Sequence, residues 1–165
     1  MTTRRSREVL EANARLWAAR ERVWDTLRDP ATSKVIWPEV VHAEVLPGTG
    51  PGVGEIQVEV RRAADGTLAI RGLIVEAWRP PEFVRYVSLD DSALRRSSSE
   101  ITMSELEPSL TRVRWVTSLD WEPGVPVGVV EQTVEIYRAF MTTHLRGSGR
   151  ILNAPIDLPG CWRMT

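Results

Sequence analysis

The stretch VGVVEQTVEIYRAFMTTHLR, residues 127–146, decides the fold because it is the one long segment of the chain with helical periodicity. Such periodicity places apolar side chains in a single stripe along an α-helix. Gly147-Ser148-Gly149 follows the stretch and predicts the end of this helix. The stripe consists of Val130, Val134, Tyr137, Met141 and Leu145.

Most of the chain before this helix alternates between apolar and polar residues, which is typical of strands with one buried face. Residues 10–16 alternate in this way but lack β-branched side chains, so a helix is an alternative there. Proline, glycine and polar clusters, including the run over residues 90–97, separate the segments. The predicted strands are residues 10–16, 40–46, 55–62, 67–78, 82–89, 98–106 and 111–121.

Two short helices are predicted after the first strand. The first covers residues 18–28 and ends at Asp29-Pro30, since a residue before proline is disfavoured in the α region. The second covers residues 31–36 and ends before Pro38. A sheet of about seven strands must bury one face, and the late amphipathic helix is the large element available to cover it. We therefore predict an α+β fold.

One domain over residues 1–152 is expected, followed by a tail. Residues 153–165 contain Pro155, Pro159 and Gly160, so we predict that this tail is irregular.

The composition excludes several classes of function. The chain has 165 residues, of which 42% are hydrophobic and 26% charged, as in ordinary globular domains. A formal net charge of -1 gives no electrostatic case for binding nucleic acid or an anionic membrane. The single cysteine, Cys161, excludes an internal disulfide. No apolar run approaches about 18 residues and no signal-peptide core is found, so we expect a cytoplasmic protein.

The segment LPGTGPGVGEIQ, residues 46–57, has glycine at every second position from Gly48 to Gly54. Phosphate-binding glycine loops are followed by a helix, whose N-terminus contributes N–H groups and a dipole. Here the next residues alternate as a strand does. The pattern favours a flexible connection between two strands over a nucleotide site.

Three segments carry a resemblance to a known superfamily. RVWDTLRDP (residues 22–30), WPEVVHAEVLPG (residues 37–48) and GVGE (residues 52–55) resemble the opening of the START-like, Bet v 1-like superfamily, in the branch of bacterial polyketide cyclase/dehydrase proteins. The resemblance covers most of residues 10–152. It implies a helix-grip fold, in which a curved antiparallel sheet wraps around the long C-terminal helix and a deep pocket between them holds a hydrophobic ligand.

A narrower resemblance concerns the end of the domain. RVRWVTSLDWEPGVPVGVVEQTV (residues 112–134) and FMTTHLR (residues 140–146) are similar to the end of the tetracenomycin-type aromatase/cyclases. This similarity implies aldol closure and dehydration of a poly-β-ketone in the pocket. Positioning and general acid/base catalysis suffice for that chemistry, so no cofactor is expected. The expected partner is a hydrophobic or aromatic small molecule, which an acyl carrier protein could deliver.

The candidate catalytic residues are Glu76, His42 and Arg71. In the aromatase/cyclases a pocket arginine on the strand corresponding to residues 67–78 is thought to polarise a carbonyl. An ungapped alignment puts Glu76 near that position and Arg71 on the opposite parity, while a family tyrosine falls at Val40. The catalytic set of the family therefore does not carry over cleanly.

Each candidate has a structural alternative. Glu76 is in step with Ile70 and Ile74, so it faces the pocket if they do; otherwise it is an outward carboxylate paired with Arg85 or Arg71. His42 could act as a base near neutral pH, or it is a surface strand histidine. His144, late on the final helix, is expected to contact the core or cap the helix.

Further residues are candidates for lining the pocket, because flat aromatic and apolar side chains suit a polycyclic ligand. The same residues could equally be core. They are Trp37, Ile70, Ile74, Trp78, Tyr86, Trp115, Tyr137 and Met141. No cluster with metal-ligand spacing is seen in the sequence, so no metal site is predicted.

Two other functions remain open at this point. A non-catalytic carrier or sensor of the same fold would need only the shape of the pocket. An interaction module would use the outer face of the sheet or the segment over residues 150–165. Fold alone does not decide among them.

Overall fold

A computed structural model describes residues 7–89 and 94–164. Nine strands and three helices lie in these two ranges. In chain order they are β1 (Arg7–Leu16), α1 (Arg20–Arg28), α2 (Ala31–Ile36), β2 (Val40–Val45), β3 (Ile56–Arg62), β4 (Leu68–Arg79), β5 (Phe83–Ser88), β6 (Leu94–Glu107), β7 (Leu110–Trp121), α3 (Val127–Ile151), β8 (Ile156–Asp157) and β9 (Cys161–Met164). None of the helices in the described ranges is long and apolar enough to cross a membrane.

All paired strands are antiparallel and belong to one sheet, in the order β2-β3-β4-β5-β6-β7-β1-β8, with β9 also paired to β1. This antiparallel sheet is combined with the long C-terminal helix α3, so the predicted α+β helix-grip fold is confirmed. The strand count is nine rather than seven. The two additional strands are β8 and β9. Strand β6 also begins earlier than predicted, at Leu94, inside the predicted polar break. Residues 90–93 of that break lie outside the described residues.

The prediction of an irregular tail was wrong. Residues Cys161 to Met164 pair with β1, in a register that joins Val9 to Met164. The pairing is reinforced by Arg163, which donates two hydrogen bonds of 2.6 and 2.8 Å to the buried carboxylate of Glu8. Strands of two and four residues are too short for alternation to announce them in the sequence.

The alternating residues 10–16 form a strand and not a helix, and the inner face of β1 is part of the core. Leu10, Ala12, Ala14 and Leu16 are at most 2% exposed. They belong to the same buried cluster as Met141 of α3. The two alanines leave little side-chain volume between strand and helix, so α3 packs closely on this part of the sheet.

Helix α3 extends beyond its predicted end. Gly147 and Gly149 lie inside the helix, which runs to Ile151. These glycines permit close packing instead of ending the helix, because a Cβ on Gly147 would lie 2.5 Å from Ile36 of α2. A Cβ on Gly149 would lie 3.3 Å from the carbonyl oxygen of Ala154. Because Gly147 and Gly149 have no side chains, α2 and the segment after α3 can pack directly against the long helix.

The glycine-rich loop connects β2 to β3, and a strand follows it as predicted. Gly52 and Gly54 have φ values of 120° and 91°, which side-chain-bearing residues rarely adopt. Gly50 is required for a different reason. A Cβ there would lie 2.6 Å from a carboxylate oxygen of Glu55. The loop therefore folds back over this buried acid.

We predict that Gly147→Ala destabilises the protein by about 1–3 kcal/mol, because overpacking at Ile36 outweighs the better helix propensity of alanine. The matched control is Gly128→Ala, also in α3, where no atom lies within 4 Å of the added Cβ. That change should be neutral or stabilising by up to about 1 kcal/mol. Urea unfolding of both variants measures the difference. Equal stability of the two would show that the contact between α2 and α3 is not constrained.

Candidate functional site

A pocket lies between the concave face of the sheet, α3 and the turn between α1 and α2. Its volume is about 100 Å³, room for several molecules of water, which need about 10–15 Å³ each. Polar and aromatic side chains are mixed along its wall. The lining residues are Leu27, Asp29, Pro30, Ser33, Gln57, Glu59, Arg71, Leu73, Tyr86, Ser88, Ser97, Ser98, Ser99, Ile101, Trp115, Tyr137, Phe140 and His144.

Two of the three predicted catalytic residues lie outside this pocket, which corrects the prediction. Glu76 is on the outer face, where Arg96 donates hydrogen bonds of 2.6 and 2.7 Å to its two oxygens. His42 is half-exposed, with Nε2 3.4 Å from Glu44. The outward alternatives considered for both residues describe their positions, although the partner of Glu76 is neither Arg85 nor Arg71.

Glu76 was misplaced because the wrong face of β4 was expected to point into the pocket. Its inner face is set by Val75, which is 1% exposed, together with Arg71 and Leu73. Ile70, at 64% exposed, lies on the other face, and Ile74 shares its parity. A register shift after Val75 then changes the parity of the strand. The assumption that the isoleucines mark the inner face was therefore wrong.

Arg71 is the predicted catalytic residue that does line the pocket. It stands opposite Glu59 in the pairing of β3 with β4. Within the described ranges its guanidinium makes neither a hydrogen bond nor an ion pair. The outer-face arginines differ, since Arg85 is paired with Glu100 and Arg114 with Glu11. A cation with unused donors on a pocket wall is suited to a carbonyl or anionic ligand.

The predicted lining residues divide into three groups. Tyr86, Trp115 and Tyr137 line the pocket. Trp37 does not line it, but stacks on Phe140 with ring centroids 5.6 Å apart. The other four do not line it either. Ile70 and Ile74 belong to the other face of β4. Trp78 packs against Trp24, with ring centroids 4.9 Å apart, and Met141 is fully buried in the core.

Sequence reasoning missed the polar residues of β3. Gln57, Glu59 and Arg61 alternate with three apolar residues, and the polar set is the one that faces inward. Arg61 lies 5.5 Å from the ring centroid of Trp37 and donates to Glu59 at 2.9 Å. Alternation gave the two faces of this strand, but no signal in the sequence says which face is inside.

His144 is another residue whose position the sequence left open. It lines the pocket from α3 and is 6% exposed. Burial lowers the pKa of its imidazole to about 4, so the ring is neutral at physiological pH. Its Nδ1 atom has no hydrogen-bond partner among the described residues. Trp115 and Phe140 enclose the ring, each with its centroid 5.6 Å away.

Two donors on the pocket wall also lack partners. The Tyr86 hydroxyl and the Trp115 indole N–H make no hydrogen bond to the residues that the structure describes. Burial raises the pKa of Tyr86, so its phenol stays protonated. Buried polar groups normally have partners, and such exceptions are often found where a ligand or water completes the bonding. No group of three potential metal ligands occurs within residues 7–89 and 94–164.

We predict a pH-dependent loss of stability caused by His144. Its folded pKa of about 4 lies below the ordinary 6.5, so the unfolded chain binds the proton first as the pH falls. Stability is thus complete above pH 6.5 and decreases down to pH 4, by at most about 3 kcal/mol. Chemical denaturation from pH 7 to 4.5 should show a shallower decrease for His144→Phe. The half-exposed control His42→Gln should keep the wild-type slope, and identical slopes for all three proteins would contradict the assignment.

Comparisons with known proteins identify structures of the same fold, but no family model and no curated relative. Among solved structures, the Zhui aromatase/cyclase from Streptomyces sp. R1128 superposes with a TM-score of 0.72 at 15% identity, covering 87% of this chain and 92% of that one. A START superfamily protein from Mycobacterium smegmatis gives 0.64 at 13% identity, with 88% and 99% covered.

A third similar structure is larger. The di-domain ARO/CYC BexL from the BE-7585A biosynthetic pathway gives a TM-score of 0.69 at 16% identity over 90% of this chain. The match covers 49% of BexL, so this chain spans about half the length of that protein. The resemblance seen in the sequence is therefore confirmed at the level of the fold: the chain has the helix-grip architecture of START-like and Bet v 1-like proteins, aromatase/cyclases among them.

Proposed function

We propose that the protein is a cyclase/dehydratase that closes and dehydrates a compact, polyketide-like small molecule inside the pocket, without a cofactor. The observation that carries the proposal is the guanidinium of Arg71, which has no partner among the described residues and lies on the wall of a pocket that also holds the neutral imidazole of His144. An electrophilic group and a basic group on one pocket wall are the two requirements of aldol chemistry.

The proposed reaction begins with proton removal. His144 accepts, at a ring nitrogen, a proton from a carbon between two carbonyl groups, and the carbon's electron pair forms a bond to a second carbonyl carbon of the same molecule. The electrons of that carbonyl move to its oxygen, and Arg71 stabilises the resulting alkoxide. The imidazolium returns its proton to this oxygen readily, because burial disfavours the charged ring.

Dehydration then uses the same groups. His144 removes the remaining proton on the neighbouring carbon, a carbon–carbon double bond forms and the carbon–oxygen bond breaks. The protonated phenol of Tyr86 donates a hydrogen bond to the departing oxygen, which takes up the proton held by His144 and leaves as water. Delivery of the substrate by an acyl carrier protein is compatible with this proposal. Aromatase/cyclases are among the solved structures that share this fold, at 15–16% sequence identity. That shared fold supports the choice of reaction class in this proposal.

The competing proposal is a binding protein or carrier for a hydrophobic small molecule. The START superfamily structure has the same fold, and unpartnered polar atoms in a pocket serve binding as well as catalysis. The two proposals differ in one measurable respect. A carrier returns its ligand unchanged, whereas a cyclase alters the pattern of rings in the product.

We predict that the purified protein changes the products formed from a poly-β-ketone made by a minimal polyketide synthase, relative to the spontaneous mixture. Arg71→Gln should slow this directed cyclisation by about 100-fold or more, because the alkoxide loses its charged donor. The matched control is Arg96→Gln on the outer face, which breaks the pair with Glu76 and should leave the rate unchanged. Products are identified by chromatography and mass spectrometry.

Two results would contradict the proposal in different ways. If wild-type protein yields the spontaneous mixture, the cyclase function is wrong and the carrier remains. If Arg71→Gln retains the wild-type rate and products, the protein is a cyclase that does not use Arg71 as its electrophile.

A further inference from the structure

The amide of Gln57 is held in one orientation by two acceptors. Its Nε2 atom donates to Oε1 of Glu55 at 2.8 Å and to the carbonyl oxygen of Arg28 at 3.1 Å. A carboxylate and a carbonyl cannot donate, so a flipped amide would place its oxygen against two acceptors. Both N–H groups of Gln57 are thus used by acceptors of the chain itself.

The restraint on Gln57 is built into the fold. Glu55 is 1% exposed, and the guanidinium of Arg28 lies 3.8 Å from its other oxygen. The carboxylate fits there because Gly50 has no side chain. The glycine-rich loop therefore encloses the acid that orients Gln57. This gives the loop a use that neither a phosphate site nor a plain connection would supply.

The side-chain carbonyl oxygen of Gln57 remains available as an acceptor on the pocket wall. Gln57 lines the pocket, and its carbonyl oxygen accepts no hydrogen bond from the described residues. Tyr86 lines the same pocket, and its hydroxyl has no hydrogen-bond partner within the described ranges. The part of the pocket that Gln57 and Tyr86 line thus offers a fixed acceptor and a hydroxyl that can donate.

We propose that Gln57 is a specificity-determining residue that selects ligands carrying a hydroxyl group, enolic or phenolic, at this end of the pocket. A hydroxyl donates to the Gln57 oxygen and accepts from Tyr86, whereas a ketone or an ether can only accept. Glu55 is a positioning residue that acts through Gln57. The inference deepens the proposed function, since enols and phenols are the forms through which an aromatising polyketide passes, but it concerns binding and can be tested without turnover.

The test compares 1-naphthol with 1-fluoronaphthalene, which has nearly the same shape and no donor, by isothermal titration calorimetry. Wild-type protein should bind the naphthol at least about tenfold more tightly, because a buried acceptor left unpaired penalises the fluoro compound. In Gln57→Met the preference should fall to about twofold or less. The outer-face control Glu76→Gln should retain the wild-type ratio.

A second variant protects the test against misfolding. Gln57→Met leaves the Glu55 carboxylate buried without its hydrogen bond, so the double variant Glu55→Gln/Gln57→Met removes that charge and should show the same loss of preference. Glu55→Gln alone weakens the restraint and should lower the ratio by less. An unchanged ratio in that variant would remove Glu55 from the proposal.

The outcomes separate this inference from the proposed function. Equal affinities of wild-type protein for the two probes, or no naphthol binding, overturn the role of Gln57 and leave the cyclisation assay to decide catalysis. A preference that persists in both Gln57→Met proteins also overturns it. A preference that depends on Gln57, in a protein that cyclises nothing, establishes a hydroxyl-selective binding site and leaves the cyclase function refuted.

Discussion

The fold depends on the contact between the apolar stripe of α3 and the inner face of β1. Ala12 and Ala14 allow the helix to lie close to this strand, and Met141 and Leu145 are fully buried in the same core cluster. A helix held tightly at one end of a curved sheet cannot also fill the other end. The pocket occupies the region left open beside β3, β4, β5 and β6, with Trp115 of β7 also on its wall, so it follows from the same contact that stabilises the domain.

Around the pocket the usual distribution of polar and apolar side chains is reversed. On β3 and β4 the inner face carries Gln57, Glu59 and Arg71, while Ile70 is exposed on the outside. Burying polar groups costs free energy unless they find partners. Glu59 and Gln57 have partners, whereas Arg71 has none among the described residues. Departures of this kind from ordinary packing are expected where a protein meets its ligand.

The sequence supports the architecture far better than the site. Helical periodicity over residues 127–146 and alternation in the strands identified the elements, since both reflect burial directly. Alternation does not state which face of a strand is inside, and this ambiguity misplaced Glu76. A register shift after Val75, which no residue type announces, added to the error. His144 was left open because its environment depends on Trp115 and Phe140, which come together only in the folded chain.

The position of β1 in the sheet has a consequence for how the chain folds. Every partner of β1 comes late in the sequence, since β7, β8 and β9 all follow residue 109. Closing loops of roughly a hundred residues costs entropy before any contact compensates it, so topologies of this kind fold slowly. On the ribosome β1 is made first and waits for nearly all of the described chain. During that interval the backbone edges and the apolar face of β1 are unpaired and open to association with other chains.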